Sequence, residues 1–318
     1  MKHTAGFDLR ELEFLVIDEA DRVLDNIQHD WLYHLENHLK QEDPVQHTAK
    51  VLNLFSLQKK RHPQKLLFSA TLSQDPEKLQ KLSLFQPKLF TSIVAENENL
   101  AETKISETFV GKYTTPNELT EQYIVCSLDI KPLILYKYIK MQNLTRTMVF
   151  TNSVSDAHRL CILLRKLFDN KLRIEELNSI LDMKKRKQFI ADFLKGTISI
   201  IICTDALARG IDIPDVQCVI SYSSPKHLKT YIHRAGRTAR AGSLGTAVTL
   251  LHDSQLGHFK GLLKQAEKNN VEEVVVPTED LKPLAKRYEQ ALKQLKKSVL
   301  LKEEEDYNNI RRTKRAIQ

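Results

Sequence analysis

The stretch Phe14-Leu15-Val16-Ile17-Asp18-Glu19-Ala20-Asp21 decides the fold. Its apolar run has no polar break and stops at two adjacent carboxylates, and a helical pattern follows from Val23 to Leu39. A continuously apolar strand is the pattern of a strand covered on both faces, as in parallel sheets. The same unit recurs outward along the chain. Strand-like runs are Leu66 to Phe68, Leu89 to Val94, Gln122 to Cys126, Thr147 to Phe150, Arg173 to Leu177, Ile198 to Cys203, Cys218 to Tyr222 and Gly245 to Leu251. Helical patterns lie between them at Pro76 to Leu82, Lys131 to Met141, Val154 to Phe168, Lys184 to Lys195 and Leu228 to Ala235. Strand and helix in alternation imply an α/β fold with mainly parallel sheets.

The chain has 318 residues, enough for two domains. A polar stretch holding Glu96-Asn97-Glu98-Asn99 and Tyr113-Thr114-Thr115-Pro116-Asn117 interrupts the alternation and reads as a linker over 96–119. This divides the chain into a first domain, 1–95, and a second, 120–270, followed by a charged helical extension and tail, 271–318. Residues 41–63 read as an insertion in the first domain. There is no apolar run of about 18 residues, so no membrane span or membrane partner is expected. The N-terminal residues lack signal-peptide and transit-peptide character. Cys126, Cys161, Cys203 and Cys218 form no C-x-x-C pair and read as buried residues of a reducing, cytosolic or nuclear compartment. The net charge is +8, and residues 1–95 contribute −1 of it, so the basic character belongs to the rest and suits a polyanion.

Four stretches carry chemistry. Asp18 and Glu19 stand at the carboxyl end of a strand, where open α/β sheets bind ligands. One such carboxylate can hold Mg²⁺ through its waters, and a second can orient an attacking water. Acidic residues also open helices merely because they suit the positive N-terminal end. In Leu66-Leu67-Phe68-Ser69-Ala70-Thr71, the hydroxyls of Ser69 and Thr71 can bond the acidic cluster or simply cap the next helix. In Thr204-Asp205-Ala206-Leu207-Ala208-Arg209-Gly210-Ile211-Asp212, Arg209 can meet a phosphate and Asp212 a ribose hydroxyl. In Tyr231-Ile232-His233-Arg234-Ala235-Gly236-Arg237-Thr238-Ala239-Arg240, three arginines recur at steps of three. Clustered guanidiniums need an anion between them, and a triphosphate matches their forks. His233 and Arg237 share a face if the helix continues, whereas Gly236 indicates a helix end or a close approach.

These stretches resemble, in order, motifs II, III, V and VI of the DEAD-box RNA helicases. Met148-Val149-Phe150-Thr151-Asn152-Ser153 resembles motif IV, and Arg186 fits the arginine of the motif between IV and V. The resemblance covers about residues 10–250. It implies two RecA-like domains that use ATP and Mg²⁺ and act on RNA by local strand separation. It assigns Asp18 to the metal and Glu19 to the attacking water. Arg237 and Arg240 become arginine fingers. Asp21, Ser69, Thr71, His233 and Arg234 couple the two domains, and Asp212 takes the ATP ribose. Asn152, Arg186, Thr204 and Arg209 contact the RNA backbone, reading phosphates and 2′-hydroxyls rather than sequence.

Several features depart from that pattern. No G-x-x-x-x-G-K-[ST] loop occurs, and the Gly111-Lys112 pair is followed by Tyr113. The phosphate-binding loop and the early RNA motifs are therefore expected upstream of Met1. On that expectation the first domain lacks its P-loop half, 1–95 fold poorly alone, and 120–250 form a sound domain. Leu177-Asn178-Ser179 replaces a usual His-Gly pair and Met183 a usual Gln. The wording from Ile17 through Trp31, with the insertion after it, resembles a nucleolar subfamily active in large-ribosomal-subunit assembly. That implies pre-ribosomal RNA and ribosome-assembly proteins as partners. Lys184-Lys185-Arg186-Lys187 reads as a nuclear-localisation tetrapeptide or as ordinary helix-surface charge. Two further readings stay open: an RNA- or partner-binding module without ATPase activity, and a scaffold acting through its charged C-terminal helices.

Overall fold

The computed structural model describes residues 9, 12–20, 34–35, 38, 63–69, 84, 86–88, 90, 116, 118–177, 183–208, 213, 215–240, 242–268, 271–277 and 279–297. The chain divides into two compact units, Met1–Tyr113 and Thr114–Gln318.

In the first unit, β1 (Phe14–Ile17) lies parallel to β2 (Gln64–Leu67), with Phe14 opposite Gln64 and Ile17 opposite Leu67. β-branched and aromatic side chains favour this pleated pairing. The apolar run of β1 led to an expectation of cover on both faces, but its faces differ. Ile17 is buried, while Phe14 and Val16 are 55% and 57% exposed and Phe68, just past β2, is 55% exposed. Side chains alternate across a strand, so these residues mark one open face.

The second unit is built on a seven-stranded, all-parallel sheet of order β5-β6-β4-β7-β8-β3-β9. Its strands are β3 (Leu119–Val125), β4 (Thr147–Thr151), β5 (Ile174–Glu176), β6 (Ile200–Thr204), β7 (Cys218–Ser221), β8 (Gly245–Leu251) and β9 (Glu272–Glu273). The connecting helices are α1 (Lys131–Met141), α2 (Val154–Leu167), α3 (Met183–Leu194), α4 (Asp205–Ala208), α5 (Leu228–Ala235) and α6 (Asp253–Gln265). Every residue of β4, β6 and β7 is buried. One apolar layer packs Leu133, Ile134, Leu160 and Leu164 of α1 and α2 against Val149, Ile202 and Ile220. A separate layer joins Met148, Phe150, Ile201 and Val219 to Phe193 of α3. The RecA-like α/β architecture is thus present in full depth here. The chain reaches β4 from β3 on one side and leaves it toward β5 on the other, so β4 is the topological switch point.

The packed body runs beyond residue 270, where the sequence reading ended the second domain. β9 adds an edge strand beside β3. Val276, Leu281 and Ala291 are buried. A C-terminal helix spans 285–297. Arg287 donates from Nε and Nη2 to the Lys166 carbonyl at 3.1 and 2.9 Å, at the end of α2, and ion-pairs with Asp169. The Tyr288 hydroxyl donates to the Asp129 carbonyl at 2.9 Å.

All four cysteines are free and buried. Burial pushes the Cys161 and Cys218 thiols up to about 12 and raises Cys126 as well. A thiol held protonated is a poor nucleophile, so these cysteines serve as small apolar residues. No described helix is long and apolar enough to cross a membrane.

Candidate functional site: the strand ends

Each unit carries its motif residues at the carboxyl ends of parallel strands. In the first, the Phe68 N–H donates to the Ile17 carbonyl at 2.9 Å and the Ala20 N–H to the Phe68 carbonyl at 3.0 Å. These bonds carry the β1–β2 pairing past the strand ends and bring Asp18-Glu19 beside Phe68-Ser69. The Glu19 N–H donates to Asp18 Oδ1 at 2.8 Å. Glu19 takes this turn at φ +48°, a left-handed backbone that costs a non-glycine residue about 1–3 kcal/mol. Asp18 is exposed, while Glu19 and Ser69 are half-buried. Among the described residues no cluster of three or more metal-ligating side chains occurs. Asp18 therefore offers a cation one carboxylate. That fits Mg²⁺, which keeps several waters and completes its shell with phosphate oxygens. Asp21 and Thr71 lie outside the described residues.

In the second unit three strand ends converge on one side chain, Arg234 of α5, which is 1% exposed. Its Nε and Nη2 donate to the two carboxylate oxygens of Asp205 at 2.7 and 2.8 Å. Nη1 donates to the Ser223 carbonyl at 2.6 Å, and Nη2 also to Asn152 Oδ1 at 3.0 Å. Its guanidinium lies 5.5 Å from the centre of the Phe150 ring. This fork is bidentate and charge-assisted, the strong form of the interaction. It ties the end of β4 (Asn152), the start of α4 (Asp205) and the loop after β7 (Ser223) to α5. Arg234 makes these bonds inside its own unit, against the half-buried Asp205 carboxylate.

The same network shapes the surface. With Oδ1 held by Arg234, the exposed Asn152 presents its amide N–H donors, which suit a phosphate oxygen. Ser153 caps α2 by accepting from the Asp156 N–H at 3.0 Å. Thr204, 7% exposed, ends β6 opposite Thr151, whose hydroxyl donates to the Ser153 carbonyl at 3.0 Å. Arg186 sits half-buried on α3, and its Nε finds no hydrogen-bond acceptor. Arg209 and Asp212 lie outside the described residues.

The arginine-rich motif ends its helix early. α5 stops at Ala235, and the Gly236 N–H closes the last turn on the Ile232 carbonyl at 2.8 Å. A Cβ on Gly236 would sit 3.1 Å from that carbonyl oxygen, so the glycine marks both a helix end and a close approach. Arg237 therefore follows the helix instead of sharing a helical face with His233. Both are half-buried, and Arg240 is exposed with its Nε bonded to the Gly236 carbonyl at 2.8 Å. The loop is fastened underneath. Thr238, 2% exposed, donates to the Val216 carbonyl at 2.5 Å. Ala239 turns at φ +56°. At Gly245 an added Cβ would meet Thr238 Oγ1 at 2.3 Å and the Ala239 nitrogen at 2.5 Å.

A second buried network holds α5 one turn earlier. The Tyr231 hydroxyl donates to Glu121 Oε1 at 2.6 Å, and Lys268 ion-pairs with the same carboxylate. Tyr231 also meets the Phe259 ring edge-on, centroids 5.6 Å apart. Sequence reading gave no role to Asp205, Glu121 or Lys268. Asp205 lay inside a quoted motif, but the other two lie 147 residues apart and carry no local signal.

The DEAD/DEAH box helicase family model matches residues 1–79, and the helicase conserved C-terminal domain matches residues 130–242. The ATP-dependent RNA helicase Dbp73D of Drosophila melanogaster is 46% identical over 303 residues, 91% of this chain and 44% of that protein. The ATP-dependent RNA helicase DDX51 of Mus musculus is 40% identical over 305 residues, 93% of this chain and 47% of that protein. The chain thus spans about half the length of the curated relatives it matches. S. cerevisiae Dbp5 bound to RNA and ADP BeF3 shares the fold, with a TM-score of 0.62 at 23% identity over 90% of this chain and 65% of that one. With the motifs in their order and these relatives beside them, the chain belongs to the DEAD-box RNA helicase family.

Proposed function

We propose that this chain works as the RNA-binding and arginine-finger part of an ATP-dependent RNA helicase that remodels pre-ribosomal RNA or ribonucleoprotein in the nucleolus. The observation that carries the reading is the convergence on Arg234. One buried guanidinium sets the exposed Asn152, the Asp205 carboxylate and the arginine-bearing end of α5. An RNA contact made at Asn152 is thereby mechanically tied to the segment bearing Arg237 and Arg240. Thr204, Arg186 and Arg209 extend the RNA surface, and Asp212 serves the ribose. Asp18 holds Mg²⁺, which neutralises phosphate charge when bound. Glu19 orients water, and Asp21, Ser69, Thr71 and His233 report between the two units. The nucleolar assignment rests on the wording from Ile17 to Trp31 and the insertion that follows it.

These 318 residues contain no G-x-x-x-x-G-K-[ST] loop, hence no nest of N–H groups and lysine for the β- and γ-phosphates. By themselves they bind RNA without turning over ATP. The test is RNA-stimulated ATP hydrolysis by this chain fused behind a P-loop-bearing half-domain. Turnover that appears with RNA and is lost in Glu19→Gln supports the helicase reading. The same absence favours a second reading, an RNA-binding module without ATPase activity. A fusion that never hydrolyses ATP, with salt-sensitive RNA binding that ATP leaves unchanged, selects that one.

A further inference from the structure

The second unit has a concave surface that none of the motifs uses. Ile124, Cys126, Ile130, Ile134, Val274 and Val276 line a cleft of about 570 Å³ where β3 ends, beside the segment that follows β9. Val275, also in the lining, is 79% exposed, and Leu128, in the helical turn Leu128–Ile130, is 61% exposed. Exposed aliphatic side chains over an apolar cleft mark a surface built to be covered. In the sheet, β3 lies three strands from β4, about 14 Å at about 4.8 Å per strand, so the cleft is clear of Asn152.

The backbone beside the cleft is open as well. β9 is the outermost strand. The Val274 N–H donates to the Tyr123 carbonyl at 2.8 Å. Successive residues of a strand turn their N–H and C=O to alternate sides, so Glu273 turns its pair away from β3. Such an edge accepts an added strand.

The rim is acidic. Glu273 lines the cleft, and its neighbour Glu272 and Asp129 of the helical turn are exposed. Burial, and beyond it the nearby Asp253 carboxylate, raises the Cys126 thiol, which puts another exposed acid by the cleft. Among the described residues none of these four carboxylates forms an ion pair. Two neighbouring lysines are engaged elsewhere. Lys131 is buried with its ammonium 5.2 Å from the centre of the Tyr222 ring, and Lys268 is paired with Glu121. On a chain of net charge +8, an acidic rim disfavours RNA and suits a cationic partner.

We propose that this cleft docks an extended segment of a partner protein in which aliphatic residues alternate with Lys or Arg, laid as a further strand beside β9. Side chains alternate across a strand, so the aliphatic set enters the cleft while the cations meet the acidic rim. Backbone bonds to Glu273 supply affinity, and the two sets of side chains supply specificity. This docking does not depend on the RNA reading.

The test is fluorescence anisotropy of a dye-labelled peptide of four Val-Lys repeats with the 318-residue chain. The peptide should bind, and versions with Ser for Val or Glu for Lys should not. Leu128→Ser and Val275→Ser should each weaken binding about tenfold. Glu272→Lys should weaken it at low salt and much less at high salt. Leu244→Ser is the control, because Leu244 is 83% exposed just before β8, at the opposite end of the sheet, and should leave affinity unchanged. Failure of the parent chain to bind the peptide overturns the proposal, as does an equal loss in the control. Displacement of the peptide by a uridine oligonucleotide also overturns it, in favour of an RNA surface. Tighter binding in Arg311→Glu/Arg312→Glu would make this chain's own basic segment the occupant. A dimer in sedimentation that Val275→Ser dissociates would make it a second copy. Either result overturns the partner segment.

Discussion

The two units obey the same strand-end logic but differ in how deeply it is built. In the second, β4, β6 and β7 are buried along their whole length, and Arg234 is locked by four hydrogen bonds beneath the surface. In the first, β1 pairs with β2 and keeps Phe14 and Val16 more than half exposed, and Glu19 is placed by a short turn on Asp18. A site is only as fixed as the layers around it. Among the described residues, the second unit encloses its donors in buried layers, whereas the first leaves Phe14, Val16 and Phe68 exposed on one face of its sheet.

This contrast can be broken most forcefully at the C-terminal packing of the second unit. Ending the chain at residue 270 removes β9 and strips Val276 and Leu281 from the core. At about 1.5–3 kcal/mol for each large buried side chain, the loss is about 3–6 kcal/mol, read as a lower denaturant midpoint. Arg234→Met leaves Asp205 without its buried partner and should cost about 3–5 kcal/mol, with weaker RNA binding because Asn152 loses its orientation. Gly245→Ala forces a methyl group against Thr238 and Ala239. It should cost about 1–3 kcal/mol in thermal melts and loosen the loop carrying Arg237 and Arg240. Ser153→Ala removes the cap of α2 and should cost about 1 kcal/mol without a change in RNA affinity beyond that loss of stability.

Much of the second unit was legible in sequence because its strands are short apolar runs and its helices have clear boundaries. Lys131 to Met141 and Leu228 to Ala235 are helices with the expected limits, and Val154 to Phe168 differs from α2 by one residue. The edge strand was not legible. Glu272-Glu273 carries no strand pattern, and its pairing with β3 is a tertiary choice. Nor could an apolar run such as Phe14 to Ile17 reveal that one face stays open, since composition cannot say which neighbours are present. Within the site, motif wording singled out Asn152, Thr204, His233 and Arg240 as candidates but gave no sign of the inward turn of Arg234. That direction depends on Asp205, a residue that reads in sequence as an ordinary helix opener. The end of α5 at Ala235 places Arg237 in a turn, so of the two outcomes left open by the sequence the helix end at Gly236 is the one realised.

The central claim is that the second unit is a self-sufficient platform and the first is not. Native-state hydrogen exchange on the whole chain tests it most directly. The account predicts that amides of β4, β6 and β7 exchange only through global unfolding of the second unit, while those of β1 and β2 exchange earlier through a separate, smaller opening. Equal protection of β1 and β4 would contradict it, because the first unit would then be as complete a fold as the second.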